Sequence, residues 1–290
     1  MKLTLLGTGT PIPNPVRRGP SQVIEAGNEL VLIDCGSGAM HRLMDAGYAQ
    51  PDGRHLRLPL RQIALTHLHS DHITGLPDLL WAGWIMDWWS EPPPIVGPPG
   101  TATFVEFLLR AFQYDIRVRL AGDRAGSTVP APRVEEVEEN AVTEGSDWRL
   151  TAFRVEHEPV DQAFGYRLDS EGEAAVISGD TRYSENLIRH AQGADLLVHE
   201  VYWRAGMEAR LAAATTAQQR ARAETVASYH TPADEVGKVA DRAEVKQLVL
   251  SHILLYGGTP NDLIEDIRPQ YRGTITSGED LQMFDLSLGK

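Results

Sequence analysis

The chain has 290 residues, 42% of them hydrophobic and 23% charged, enough for one large domain or two small ones around a sizeable core. A net charge of −13 argues against broad electrostatic capture of nucleic acid or of an anionic membrane, and only a local basic patch would reverse that. The single cysteine, Cys35, rules out a disulfide framework, and no run is long enough to span a membrane, so a cytoplasmic enzyme-sized domain is the expectation.

The start, "MKLTLLGTGTP", reads as a strand entering a Gly-rich turn rather than as a signal peptide. "GTGTP" lacks the third glycine and the following helix of a phosphate-binding loop, so it is read as a tight turn. "PIPNPVRRGPS" is a Pro-broken loop, "SQVIEAG" and "NELVLIDCGSG" suit a hairpin, and residues 37–47 suit a short helix ending at Gly47. "RQIALTH" is an apolar strand, followed by "GLPDLLWAGWIMDWW" as a helix with Pro77 in its first turn. "TATFVEFLLRAF" is a further helix, and "VEEVEENAVTEGSD" is acidic and exposed. "WRLTAFRVEH", "AFGYRLDS" and "AAVISGD" form a second set of strands, with "ENLIRHAQGA" a helix and "DLLVHEVYW" a buried strand. "MEARLAAATTAQQRARAETVASY" is Ala-rich and helical, "PADEVGKVADRA" is another helix, and "KQLVLSH" is a strand ending in His252. No internal repeat is visible. Helices outside two mixed or antiparallel sheets would satisfy both halves.

Polar residues recur where apolar strands end: Asp34, His67, His157, Asp180, Glu200 and His252. Strand ends are where loops gather and sites are built. The densest cluster is "ALTHLHSDHITG", residues 64–75, which places His67, His69, Asp71 and His72 within six positions. In an extended segment the His67-x-His69 alternation points two imidazoles the same way. Asp71 and His72 then fall on the turn into a helix, whose partially positive N-terminus suits a carboxylate. Imidazole nitrogen and carboxylate oxygen are the donors a pair of divalent ions needs, at three or four per ion.

"THLHSDH" is the signature of the metallo-β-lactamase fold, and the chain resembles the branch of that superfamily holding ribonuclease Z, arylsulfatase-like hydrolases and related phosphodiesterases. The resemblance runs through "LLGTGTPIP", "VLIDCGSG", "VEHEPVDQAFGYRL", "ISGDTRY", "DLLVHEVYW", "YHTPADEVGKVA" and "LVLSHI", in the family's order. It implies an α+β fold, a four-layer αβ/βα sandwich, over residues 1–290 as a single domain. It also implies two divalent metal ions at the sandwich edge, zinc first, with manganese or iron compatible. Residue by residue, His67, His69 and His157 would hold one ion, Asp71, His72 and His252 the other, and Asp180 would bridge them. Asp34 resembles the acid that orients a ligand histidine. Glu200 and His230 resemble the pair in which a glutamate orients a histidine toward the leaving group, and Asp71 could accept a proton from the attacking water. A homodimer is implied in the same way.

The chain lacks the long Gly/Pro- and Lys-rich arm with which ribonuclease Z grips transfer RNA. "SHILLYGG" lacks that family's arginine, and "DCGSG" replaces "DCGEG". Together with the acidic charge, these departures favour a small-molecule substrate over nucleic acid. The expectation is a dinuclear hydrolase that uses a metal-bridging hydroxide on a small hydrophobic or aromatic ester: a phosphodiester, a sulfate ester or a lactone. A ribonuclease Z-type transfer-RNA 3′-end endonuclease is the alternative, and a di-iron redox or metal-sensing protein a second one. Trp81, Trp84, Trp88 and Trp89 cannot all share one helix face, so some are expected to wall an apolar pocket near the metals. A helical lid or dimer arm is expected at about 203–228. Its arginines, Arg204, Arg210, Arg220 and Arg222, read as a solvated surface. His199 reads as structural, and His41, His55 and His190 as surface or packing residues.

Overall fold

A computed structural model describes residues 1–48 and 55–289. The first half contains β1 (Lys2–Gly7), β2 (Ser21–Ala26), β3 (Glu29–Ile33), α1 (Ala39–Asp45), β4 (Leu60–Ala64), α2 (Ser70–Ile73), α3 (Leu76–Ile85), β5 (Ile95–Gly97), α4 (Thr101–Ala111), α5 (Gln113–Ala121) and β6 (Val134–Glu136). The second contains β7 (Val142–Glu144), β8 (Arg149–His157), β9 (Val160–Ser170), β10 (Glu173–Ile177), α6 (Glu185–Ala191), β11 (Leu196–Tyr202), α7 (Arg204–Ala212), α8 (Ala217–Tyr229), α9 (Ala233–Arg242), β12 (Gln247–Leu254), α10 (Pro260–Ile267), β13 (Thr274–Ser277) and β14 (Met283–Asp285).

The strands form two seven-stranded sheets among the described residues, ordered β14-β1-β2-β3-β4-β5-β6 and β13-β12-β11-β10-β9-β8-β7. Each sheet has three antiparallel pairings followed by three parallel ones. The sequence shows no repeat, yet the two halves use one pairing scheme. Parallel neighbours need a crossover, which the helices supply: α1 to α5 in the first half, α6 to α10 in the second. One apolar core lies between the sheets around Leu3, Ile24, Val31, Phe164, Tyr166 and Val249. A second lies under the helices of the first sheet and a third under α6, α9 and α10. Helix, sheet, sheet, helix is the four-layer α+β sandwich expected from the sequence.

The sheets are joined beside the histidine turn. The Phe164 N–H donates to the Thr66 carbonyl at 2.9 Å and the Tyr166 hydroxyl to the Leu65 carbonyl at 2.9 Å. The turn itself is fastened by backbone bonds to the strand-end segment "DCG": Cys35 N–H to the His72 carbonyl and Gly75 N–H to the Cys35 carbonyl, both 2.8 Å. These bonds require close approach of main chains. A Cβ on Gly75 would stand 2.1 Å from the Gly36 carbonyl oxygen, and one on Gly36 would stand 2.6 Å from the Asp71 carbonyl oxygen.

Three sequence expectations differ from the structure. The tryptophans do not wall a metal-side pocket. Trp81 and Trp84 are buried in the helical-layer core and donate to Asp115 and to the Thr128 carbonyl, while Trp88 and Trp89 pack on the same core, Trp89 folded back over Gly83. Four indoles fit because neighbouring helices and the helix's own C-terminal turn take the faces that the core does not. The Ala-rich stretch is two helices, not one, because Thr216 and Gln219 form a capping box that starts α8 afresh. β12 does not end at His252 but continues to Leu254 through a bulge.

Replacing an exposed helical glycine with alanine ordinarily stabilises a protein. Gly75→Ala should instead cost about 2–3 kcal/mol, as overpacking does, read as a lower urea midpoint. An unchanged midpoint would show that the strand-end segment and the histidine turn are not locked together.

Candidate metal centre

All seven expected ligands converge at one end of the sandwich, although they come from both sheets. His67 and His69 follow β4, Asp71 and His72 sit in α2, His157 ends β8, Asp180 follows β10, and His252 lies in β12. Donor atoms of His67, His69, His157 and Asp180 lie within 4.8 Å of one another, as do those of Asp71, His72 and His252, and those of Asp180, His230 and His252. Asp180, only 3% exposed, is the hub. Its carboxylate oxygens face His72 Nε2 at 3.4 Å, His252 Nε2 at 3.4 Å, His67 Nε2 at 3.8 Å and His157 Nε2 at 3.9 Å.

The imidazoles are oriented from behind. Asp34 accepts from His72 Nδ1 at 2.7 Å, from the Thr66 N–H at 2.8 Å and from the Thr66 hydroxyl at 2.8 Å. Because the Thr66 hydroxyl gives its proton to Asp34, it accepts from His67 Nδ1, 3.0 Å away. His157 Nδ1 donates to the Tyr229 carbonyl at 3.0 Å. Three rings thus engage Nδ1 in an outward hydrogen bond and turn Nε2 inward, the arrangement that fixes the tautomer of a metal-bound histidine. Asp34, expected to orient a ligand histidine, contacts the His72 ring directly and the His67 ring through Thr66. The sequence pointed to neither Thr66 nor the Tyr229 carbonyl, since an isolated threonine and a main-chain oxygen leave no pattern.

His252 reaches the cluster through backbone strain. Glu200 pairs with Ser251 and Val201 with Ile253, so His252 is the extra residue of a β-bulge, with φ at +45°. A bulge re-aims a side chain that regular alternation would send elsewhere, and a non-glycine residue in this region is strained.

Electrostatics differ among the donors: burial opposes charge on His72, but Asp180 and Asp34 outweigh it and hold its pKa well above the ordinary histidine value. Burial pushes His67, His69 and His157 below the ordinary histidine value, with neighbouring imidazoles adding to it, so their lone pairs are free at neutral pH. Burial would raise the Asp180 carboxyl, but His252 and His72 outweigh it and hold the group well below the usual carboxylate range. Buried and without a hydrogen-bond partner among the described residues are His67 Nε2, His72 Nε2 and Asp180 Oδ1, all of them aimed into the cluster. Buried polar atoms are costly when unpaired. Imidazole nitrogens turned inward around an ionised carboxylate fit a divalent cation, which would replace the proton on His72, and no apolar ligand.

Glu200 and His230 sit beside this cluster. Glu200 Oε1 accepts from the Thr231 N–H at 2.9 Å and from the Thr181 N–H at 3.3 Å, while Oε2 lies 3.2 Å from His230 Nδ1. Burial opposes charge on His230, yet Glu200, with help from Asp180, raises its pKa above the ordinary histidine value. Its ring stacks on His252 at 5.3 Å between centroids. A cleft of about 380 Å³ opens onto the centre, lined by His69, Asp71, Asp180 and His230 together with Tyr229 and Tyr256. Two arginines expected on a solvated surface, Arg210 and Arg222, also line it, whereas Arg204 is held by Asp234 at 2.7 Å. His199 is buried, donating from Nδ1 to the Glu200 carbonyl, in keeping with a structural part.

The chain belongs to the β-lactamase superfamily: the model of the Beta-lactamase superfamily domain matches residues 29–253. Within it the relatives are ribonuclease Z proteins. That of Mycobacterium bovis (strain BCG / Pasteur 1173P2) is 35% identical over 99% of this chain and 98% of its own length. That of Mycolicibacterium gilvum is 34% identical over 100% and 97%. Among solved structures, human tRNase Z, short form, superposes with a TM-score of 0.67 at 23% identity over 99% of both chains, and the Bacillus subtilis metallo-beta-lactamase fold protein YhfI with 0.70 at 18% over 98% of both. The chain is a metal-dependent hydrolase acting on ester bonds, on the ribonuclease Z branch.

These relatives overturn two expectations. A small hydrophobic or aromatic ester is not the main reading, and nucleic acid is not to be set aside as a partner. The physical reasons are visible. Net charge averages over the whole surface, whereas Arg210 and Arg222 stand at the cleft. The missing arm is no gap relative to the mycobacterial proteins, since the alignments span 98% and 97% of their length.

Asp34→Asn keeps a side chain that tolerates the positive φ of +57° at this position but no longer holds the carboxylate charge. Metal affinity, measured by competition with a chromogenic chelator, should fall about 10–100-fold, the usual loss when a residue behind a ligand is changed. Wild-type affinity in this variant would mean that His72 needs no such support.

Proposed function

We propose that this protein is a ribonuclease Z-type endonuclease that cleaves a phosphodiester bond at the 3′ end of transfer-RNA precursors. The observation that carries the reading is similarity to ribonuclease Z proteins along essentially the whole chain. The site geometry supports it. His67, His69 and His157 are assigned to one ion and Asp71, His72 and His252 to a second, with Asp180 shared between them; zinc is the first choice of metal.

Divalent ions held by these donors would supply positive charge against the phosphoryl oxygens and make water acidic enough to attack at neutral pH. Everything else falls to the protein's own groups. Asp71, lining the cleft with one oxygen 3.3 Å from His252 Nε2, is placed to accept the proton of the attacking water. His230 is fixed by Glu200 on its Nδ1 side, which leaves Nε2 to donate a proton to the departing ribose oxygen. Glu200 can hold that ring because the Thr231 and Thr181 amides anchor its other oxygen. The third donor grouping, Asp180 with His230 and His252, sets the proton donor next to the shared carboxylate.

The direct test is cleavage of a transfer-RNA precursor carrying a 3′ trailer by zinc-loaded protein, with product lengths read on a sequencing gel. One cut at the trailer junction is expected, and an intact precursor would remove the proposal. His230→Ala should slow this cut by about 10²–10⁴-fold, the usual weight of a general acid, while a nitrophenyl phosphodiester, whose leaving group needs no proton, loses far less. An equal loss on both substrates would argue against proton donation.

A further inference from the structure

We propose that Arg210 and Arg222, on the α7–α8 helix pair, grip backbone phosphates of the RNA strand next to the cut, making this pair the surface that selects a polynucleotide over a short diester. The inference rests on the nuclease reading above. Four observations carry it.

First, the two arginines belong to two cavities at once. They line the cleft over the metal centre, and with Ala213, Ala214 and Gln219 they line a second concavity of about 380 Å³ between α7 and α8. A short diester fills the first, whereas a strand running out of the first crosses both guanidinium groups into the second.

Second, their charge is not spent inside the protein. In a chain with 40 acidic residues, neither Arg210 nor Arg222 makes an ion pair or hydrogen bond with a carboxylate among the described residues. Arg204, one helical stretch away, is tied to Asp234. The rim of the cleft thus carries two cations that no carboxylate among the described residues neutralises, placed for the linkages that flank the cut.

Third, Arg210 is pre-oriented. Its guanidinium carbon sits over the Tyr256 ring, 4.6 Å from the centroid, a cation–π contact that restrains the side chain. An arginine held this way loses less side-chain entropy on gripping a phosphate oxygen. A positively charged groove that also carries aromatic side chains is how single strands are bound.

Fourth, the helices are fixed in place. Met207 of α7 and Ala223 of α8 bury against Tyr202 and Leu254, with Val226 and Tyr256 packed alongside. The connection between the helices closes with the Thr216 capping box, so the arginines stand on a set surface over the site.

The test compares wild-type protein with Arg210→Ala/Arg222→Ala and Arg210→Lys/Arg222→Lys. Each metal-loaded enzyme is assayed on a precursor with an unpaired 3′ trailer, across a salt series, and on bis(p-nitrophenyl) phosphate. The alanine pair should raise KM for the precursor about tenfold or more with a smaller change in kcat. It should also flatten the dependence of log kcat/KM on log salt by about 1.4, two contacts at ~0.7 each for a single strand. Loss on the precursor should exceed loss on the short diester by about tenfold, and the lysine pair should recover most of the salt slope, because that term needs charge alone. Should the double variant lose its helical circular dichroism, Arg222→Gln, at an exposed helical position, carries the same comparison. Equal losses on both substrates, or an unchanged salt slope, in an enzyme whose wild type cuts the precursor would overturn the phosphate grip and leave the nuclease reading standing. A wild type that hydrolyses the short diester but cuts no precursor at any salt would end both.

Discussion

The site depends on one buried carboxylate ringed by imidazoles. Asp180 is almost sealed from water, and four histidines point ring nitrogens at it from 3.4 to 3.9 Å. A lone ionised carboxylate at that depth would be strongly disfavoured by desolvation. Surrounding cationic or cation-binding groups are what make it tolerable. The same surroundings are what a divalent ion requires, so the stability of the cluster and its chemistry share one cause. Removing Asp180 would leave the two donor groups on either side of it without their common member.

The sandwich delivers that ring by repetition of one device. Each sheet passes from antiparallel to parallel pairing, and parallel strands end on the same side. His67 and Asp180 follow such ends, and Glu200 and His252 lie two residues before them. Loops gather there, and the backbone bond between Phe164 and Thr66, with the Tyr166 hydroxyl on the Leu65 carbonyl, brings the two ends together. The α7–α8 pair, inserted between β11 and α9, closes one side of the cleft so formed.

Much of this was legible in the sequence, for reasons that differ by residue. His67, His69, Asp71 and His72 crowd into six positions, and a local cluster needs no tertiary information. His157, Asp180 and His252 were legible through family order alone, since each by itself is an ordinary strand-end residue. The bulge that turns His252 inward leaves no trace in composition, because it is set by pairing with β11. The break between α7 and α8 was written in Thr216 and Gln219 but masked by the Ala-rich background. The tryptophans misled because helical spacing reports a face, not which neighbour covers it. The substrate was misread for a related reason. Net charge is a sum over the surface, while recognition depends on which few charges stand at the cleft, and Arg210 and Arg222 are placed there by tertiary packing.

Most direct for the central claim is the position of the ions themselves, taken from anomalous diffraction at the zinc edge on crystals of zinc-loaded protein. Two peaks should fall beside Asp180, one at about 2.0–2.2 Å from nitrogens of His67, His69 and His157 and the other within the same range of Asp71, His72 and His252. Peaks at other residues, or none at this end of the sandwich, would contradict the assignment of these seven side chains to a metal centre.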